Sequence, residues 1–115
     1  MELSRIVYGC ASQAMVNGED SGELLDKVLE LGINVFDTAE AYGQSECVLG
    51  NWIESRGTRD KVHIITKGCH PYSRDRVTLE DLKEDIENSF VRLKTDYIDT
   101  YFLHRDDSSQ PVGPL

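Results

Sequence analysis

Asn34-Val-Phe-Asp-Thr-Ala-Glu-Ala-Tyr-Gly-Gln-Ser-Glu46 reads as a strand that runs into a polar loop and out into a helix. Asn34, Val35 and Phe36 carry the strand character. Asp37 and Thr38 end it, and Tyr42-Gly43 follows in a segment without periodicity before a helix opens near Ser45. Strand, polar loop and helix in succession are the repeating unit of an α/β protein, in which reactive side chains gather where strands end. Asp37 and Tyr42 are therefore the first candidates for chemistry.

The flanking sequence repeats the unit. Upstream, residues 6–10 form a short β-prone segment that includes Gly9, and a polar loop through Asn17 and Gly18 follows. Asp20 and Glu23 have capping-box spacing, Leu24, Leu25, Val28, Leu29 and Leu31 mark a helical apolar face, and Gly32 can end that helix in a left-handed turn. Downstream, Val48, Leu49, Trp52 and Ile53 give the helix after Ser45 its apolar side, and Arg56-Gly57 stops it. Residues 62–66 are a β-branched run reaching Lys67-Gly68 and a loop with His70, Pro71 and Tyr72. Thr78 suits an N-cap, and Leu79, Leu82, Ile86, Phe90 and Leu93 recur at helical steps over about four turns. Residues 97–103 make a fourth strand that ends in His104-Arg105-Asp106-Asp107.

The order β-α-β-α-β-α-β with short right-handed connections implies a parallel sheet, either open and doubly wound or part of a (β/α)8 barrel. An open dinucleotide-binding sheet would carry a Gly-rich phosphate loop after its first strand, and Gly9-Cys-Ala-Ser-Gln-Ala does not fit one. Instead Asp37, Lys67 and His104 stand at the C-terminal ends of three successive strands, the arrangement of a barrel enzyme. Alternation then places Val35 and Ile33 on the same inner row as Asp37, Ile65 with Lys67, and Phe102, Thr100 and Ile98 with His104.

Neighbouring strands lie about 4.8 Å apart, so Asp37 and Lys67 are expected to form an ion pair, with Tyr42 reaching the same pocket. A neighbouring ammonium favours the phenolate form of a tyrosine, so Lys67 is expected to tune Tyr42. Tyr42 would then give a proton to a carbonyl oxygen as hydride arrives at carbon, with His104 as a second donor that orients that oxygen.

Composition excludes other classes. The 115 residues are a single-domain length, and no apolar run approaches the ~20 residues of a spanning helix. The N-terminus lacks the basic start and apolar block of a secretory signal, so a cytoplasmic protein is expected. A net charge of -9 opposes binding to nucleic acid or anionic membrane. Cys10, Cys47 and Cys69 are odd in number and widely spaced, which fits reduced interior thiols rather than a disulfide framework or a zinc site.

Three motifs in the right order, Phe36-Asp37-Thr38-Ala39-x-x-Tyr42-Gly43-x-Ser45-Glu46-x-x-Leu49-Gly50, Ile65-Thr66-Lys67 and Asp96-Tyr97-Ile98-Asp99-x-Tyr101-x-Leu103-His104-Arg105, resemble the aldo-keto reductase family. The resemblance runs from about Gly32 to Asp106. It implies an NADPH-dependent carbonyl reductase on a (β/α)8 TIM barrel, with a catalytic tetrad carried onto Asp37, Tyr42, Lys67 and His104. It also implies a cofactor approach at Asp37, with the Gly9 loop close by. Such a barrel takes ~250 residues, so residues 1–115 read as a partial reductase domain, the N-terminal half cut before the barrel's fourth helix. Most cofactor contacts are then expected beyond this chain. The sheet's inner row and edges would be exposed, which favours self-association.

A non-catalytic binding or regulatory relative is the main alternative, since the resemblance extends to channel-associated β-subunits. A metal-dependent barrel hydrolase built on Asp37 and His104 ranks last, because Lys67 between them would repel a divalent cation. His63, within a strand and deep, and His70, without a nameable partner, read as structural. Asp99 reads as a partner for a neighbouring backbone or basic group, Trp52 as core, and residues 80–87 as a solvated acidic flank.

Overall fold

The computed structural model describes residues 1–71, 77–105, 108, 109 and 113. Four strands, β1 (Val7–Gly9), β2 (Val35–Asp37), β3 (His63–Gly68) and β4 (Thr100–Leu103), lie in chain order in one sheet, and every pairing is parallel. Between them run α1 (Gln13–Val16), α2 (Gly22–Glu30), α3 (Ser45–Arg56), a 3-10 turn (Arg59–Lys61) and α4 (Leu79–Leu93). Tyr72, Asp106 and Asp107, expected in loops, lie outside the described residues.

Each helix is bounded by local chemistry. The N-cap of α2 is Ser21, which makes no side-chain cap bond, and Asp20, expected to start a capping box with Glu23, lies one residue earlier, its Oδ1 accepting from the Gly22 amide at 2.8 Å. Gly32 at φ 89° and Gly57 at φ 63° close α2 and α3 in the left-handed region that glycine enters without a Cβ penalty. Thr78 caps α4, its Oγ1 accepting from the Asp81 amide at 3.2 Å.

One face of the sheet holds the core. Phe36 and Ile64 pack with Leu25, Val28, Leu49, Trp52, Ile53 and Leu93 from the helices, and the rings of Phe36 and Trp52 stand 5.3 Å apart. Full burial of each such side chain contributes about 1.5–3 kcal/mol. The register Gly9, Asp37, Ile65, Thr100 and the pair Lys67 with Phe102 define the opposite row, as alternation predicts. Val7 and Phe102 on that row are about half exposed. Ile33 and Ile98 depart from the expected row. They precede the first residues of β2 and β4 and pack against the helix-side core.

Three further expectations change. Residues 13–16, expected as loop, form α1, whose N-cap Ser12 accepts from the Met15 amide at 3.3 Å and which buries Met15. Leu24 and Leu31 are exposed, because α2 turns only Leu25 and Val28 fully inward. The fully buried residues of α4 are Asp81, Asp85, Ser89 and the expected Leu93, while Leu82, Ile86 and Phe90 are half-buried, so part of the acidic run is interior and not a solvated flank. Asp85 is buried because its Oδ2 accepts from the Cys69 amide at 2.7 Å and closes the end of β3.

Candidate active site

The strand ends carry the site. After β2 the chain stays bonded to β3, Thr38 N donating to Ile65 O at 2.8 Å and Glu40 N to Lys67 O at 2.9 Å. It then turns back through Tyr42. Gly43, at φ 53°, sits so close to α1 that a Cβ would meet the Val16 carbonyl oxygen at 2.6 Å, and Gln44 N donates to that oxygen at 3.0 Å. Ser45 Oγ donates to Cys10 O at 2.6 Å and shares a hydrogen bond of 2.8 Å with Thr38 Oγ1. The unexpected helix α1 is thus the support against which the Tyr42 loop is set.

Lys67 is the hub. Its Nζ donates to Asp37 Oδ1 at 2.8 Å, to Thr38 O at 2.7 Å and to Tyr42 Oη at 3.4 Å, which occupies all three of its protons. Asp37 pairs in register with Ile65, so Lys67 stands one step higher on the same row and reaches back. Asp37 and Lys67 are mostly, not completely, shielded. His104 extends β4, its amide donating to Gly68 O at 2.8 Å, and its ring meets that of Tyr42 edge to face at 5.7 Å. Burial first, then the neighbouring His70, Lys67 and Arg105, hold His104 below the usual imidazole range, with Asp37 opposing. The structure therefore brings Asp37, Tyr42, Lys67 and His104 together and leaves Gly9 beside Asp37 in register.

Two neighbours escape sequence reasoning. One is the Thr38 carbonyl oxygen, since backbone acceptors leave no mark in side-chain pattern. The other is His70, whose ring packs edge-on against His104 at 4.8 Å. Cys69 between Gly68 and His70 has φ 58°, a backbone state that no residue at that position announces. His63 is half-buried rather than deep, and its Nε2 lies 2.8 Å from Thr100 Oγ1 on the open row. Asp99 accepts from Ile64 N at 2.8 Å and Arg59 at 2.9 Å, the partners its position suggested. Cys10, wholly buried, has its thiol pushed up to about 12 by burial and by the nearby Asp37, which makes it inert. Cys69 is also buried and Cys47 partly so, and none of the three is in a disulfide.

Behind β3 the packing is polar. Glu46, 1% exposed, accepts from Thr66 Oγ1 at 2.8 Å and from Arg92 at 3.4 Å. Burial raises its carboxyl above the usual range, with Ser89, then Thr66 and Arg92, opposing. Gly50 lets α3 touch the end of α4: a Cβ there would collide with the Arg92 carbonyl oxygen and lie 2.8 Å from Leu93 Cα. Among the described residues no helix is long and apolar enough to cross a membrane.

Comparison with known proteins agrees with this architecture. The model of the aldo/keto reductase family matches residues 5–114. Aldo-keto reductase YhdN of Bacillus subtilis is 37% identical over an alignment covering 97% of this chain and 37% of that protein. Among solved structures, aldo-keto reductase AKR11C1 from Bacillus halodurans in its holo form superposes with a TM-score of 0.78 at 30% identity, covering 97% of this chain and 39% of the other. An aldo-keto reductase from Klebsiella pneumoniae in complex with NADPH gives 0.73 at 32% identity, covering 91% and 37%. The chain spans about two-fifths of the length of these relatives. Matched along nearly its whole length in sequence and in strand order, it belongs to the aldo-keto reductase family, and its sheet and helices correspond to the N-terminal half of that family's (β/α)8 barrel.

Proposed function

We propose that this chain supplies the proton-donating half of an NADP(H)-dependent oxidoreductase that reduces an aldehyde or ketone to an alcohol. The observation that carries the reading is the triple contact of Lys67 Nζ with Asp37, Thr38 and Tyr42. An ammonium locked between a carboxylate and a carbonyl oxygen cannot swing away, so it stays beside the phenol. As Tyr42 Oη gives its proton to the substrate oxygen, the charge left behind forms next to that fixed ammonium. His104, uncharged, offers an imidazole N–H to the same oxygen and orients it. Asp37 holds Lys67 in place and completes the charge balance.

The residues present fit one end of the cofactor. Gly9 lies beside Asp37, and a Cβ placed there would meet nothing within 4 Å, so the Asp37 side of the row is open to a flat ring and its ribose. Asp37 and the Gly9 backbone would hold that end. When bound, the reduced nicotinamide supplies hydride to the carbonyl carbon. The occurrence of NADPH in the Klebsiella relative supports this choice of cofactor. We infer that the chain is a partial domain and that the remaining contacts, including the 2′-phosphate, come from the other half of the barrel.

The test is a fusion of this chain to the C-terminal half of the Bacillus subtilis relative. The fusion is expected to quench free NADPH fluorescence on binding and to oxidise NADPH with an aromatic aldehyde. Tyr42→Phe should lower turnover by about 10²–10⁴-fold, the range for loss of a general acid, with binding retained. A fusion that binds NADPH but turns over equally well with Phe at this position would overturn the assignment.

A further inference from the structure

The imidazole of His104 is held from two sides. Tyr42 meets it edge to face at 5.7 Å and 90°, and His70 meets it at 4.8 Å and 84°. The turn that brings His70 there is itself pinned. Cys69 takes φ 58° and its amide donates to the buried Asp85 at 2.7 Å, so the first residue of the β3–α4 loop cannot drift. A ring clamped between two others loses the rotation about its side-chain bonds that would let it offer either nitrogen.

Protonation is constrained at the same atom. His104 Nδ1 is buried and has no hydrogen-bond partner among the described residues. An N–H at Nδ1 would therefore be a buried donor without an acceptor, the more costly way to leave a polar group unpaired. The uncharged tautomer with its proton on Nε2 avoids this, and leaves Nε2–H as the donor. The titratable and charged groups around the ring are Lys67 and His70 from the end of β3 and the loop after it, Asp37 from β2, and Arg105 from its own segment, with the phenol of Tyr42 from the β2–α3 loop. Of the groups that disfavour a charged ring, His70 is the one in direct contact with it.

We propose that His70 is a positioning residue of this site: its ring fixes the imidazole plane of His104 and keeps it in the uncharged Nε2–H form that donates to a carbonyl oxygen. The proposal rests on the carbonyl-reducing reading above for the purpose of that donor, but its geometry and protonation stand apart from turnover. His70 meets the site at the His104 ring. It acts through His104.

The chain has three histidines, so each imidazole can be assigned by substitution. The test is a pH titration of the ¹⁵N-labelled 115-residue chain, following imidazole nitrogens by long-range proton correlation in the wild type, H70F, H70A and H63Q. The expected wild-type result is a single neutral Nε2–H signature for His104 at pH 7. H70F retains a ring and removes the second imidazole, and should move the His104 midpoint upward. H70A removes the ring as well, and should add exchange between tautomers. H63Q should leave the midpoint where it was. A purely structural role would disturb amide dispersion without moving the midpoint. The proposal is overturned if the midpoint is unchanged in H70F, which decides the matter alone should H70A lose its fold, or if the wild-type ring is an Nδ1–H tautomer or charged at pH 7. Because no cofactor or turnover enters, failure of the NADPH assay leaves this outcome readable, and the reverse also holds.

Discussion

Removing the ammonium at the centre of the site gives the most exacting test. Lys67→Met keeps much of the aliphatic stem but removes Nζ, which leaves Asp37 Oδ1 and Thr38 O without the donor they now share at 2.8 and 2.7 Å. Two unit charges at 2.8 Å attract by about 1.5 kcal/mol in a water-like medium and about 6 kcal/mol at the effective dielectric of a protein surface. Side chains 17% and 29% exposed sit between a solvated pair, worth up to about 1 kcal/mol, and a buried one, whose breaking costs about 3–5 kcal/mol. We therefore expect Lys67→Met to destabilise the chain by about 2–3 kcal/mol, and the coupling to Asp37 in a double-mutant cycle with Asp37→Asn to be about 2 kcal/mol. For a domain of this size that single change lowers Tm by about 10 °C. The assay is urea unfolding of the wild type, both single variants and the double variant at pH 7, repeated at high salt. If the two single effects simply add within about 0.5 kcal/mol, the ion pair is not what holds Lys67, and its role as hub fails.

Gly50→Ala should push α3 off the end of α4 and cost about 1–3 kcal/mol, and a Tm equal to wild type would show that the Arg92 and Leu93 backbone yields freely. Between the ordinary carboxylate range and the raised folded value of Glu46, the folded chain keeps a proton the unfolded chain has lost, so stability falls as pH rises through that window. Glu46→Gln should flatten this slope in unfolding curves, and superimposable slopes would refute it. His104 has the opposite sign: its folded value lies below the usual one, so its contribution is complete above about pH 6.5 and lost as pH falls through the folded value. His104→Gln should remove that dependence, and an unchanged acid limb would count against it. Val7 and Phe102 on the open row should drive association as concentration rises, so Phe102→Lys should shift sedimentation toward monomer, and a wild-type chain monomeric at all concentrations would contradict this.

The period of the apolar residues and the placement of Gly32, Gly57 and Thr78 are local facts, and they determined the β-α order, three of the helices and the parallel sheet. Alternation from Asp37, Lys67 and Phe102 also gave the row that faces away from the core, because a strand's side chains have no other choice of side. Strand ends were less legible, and so Ile33 and Ile98 went to the wrong row: where a strand begins depends on pairing with a neighbour distant in sequence. Residues 13–16 carry weak periodicity, and only the docking of Met15 in the core and the contact with Gly43 make α1 worth forming. The polar inner face of α4 was invisible for a similar reason. Asp85 is acceptable inside because it accepts from the Cys69 amide across the gap. Sequence alone named Asp37, Tyr42, Lys67 and His104 as neighbours. That Lys67 touches three oxygens at once, and that His70 presses on His104, came from a left-handed residue and a loop bent back along β3, features set by contacts and not by residue type.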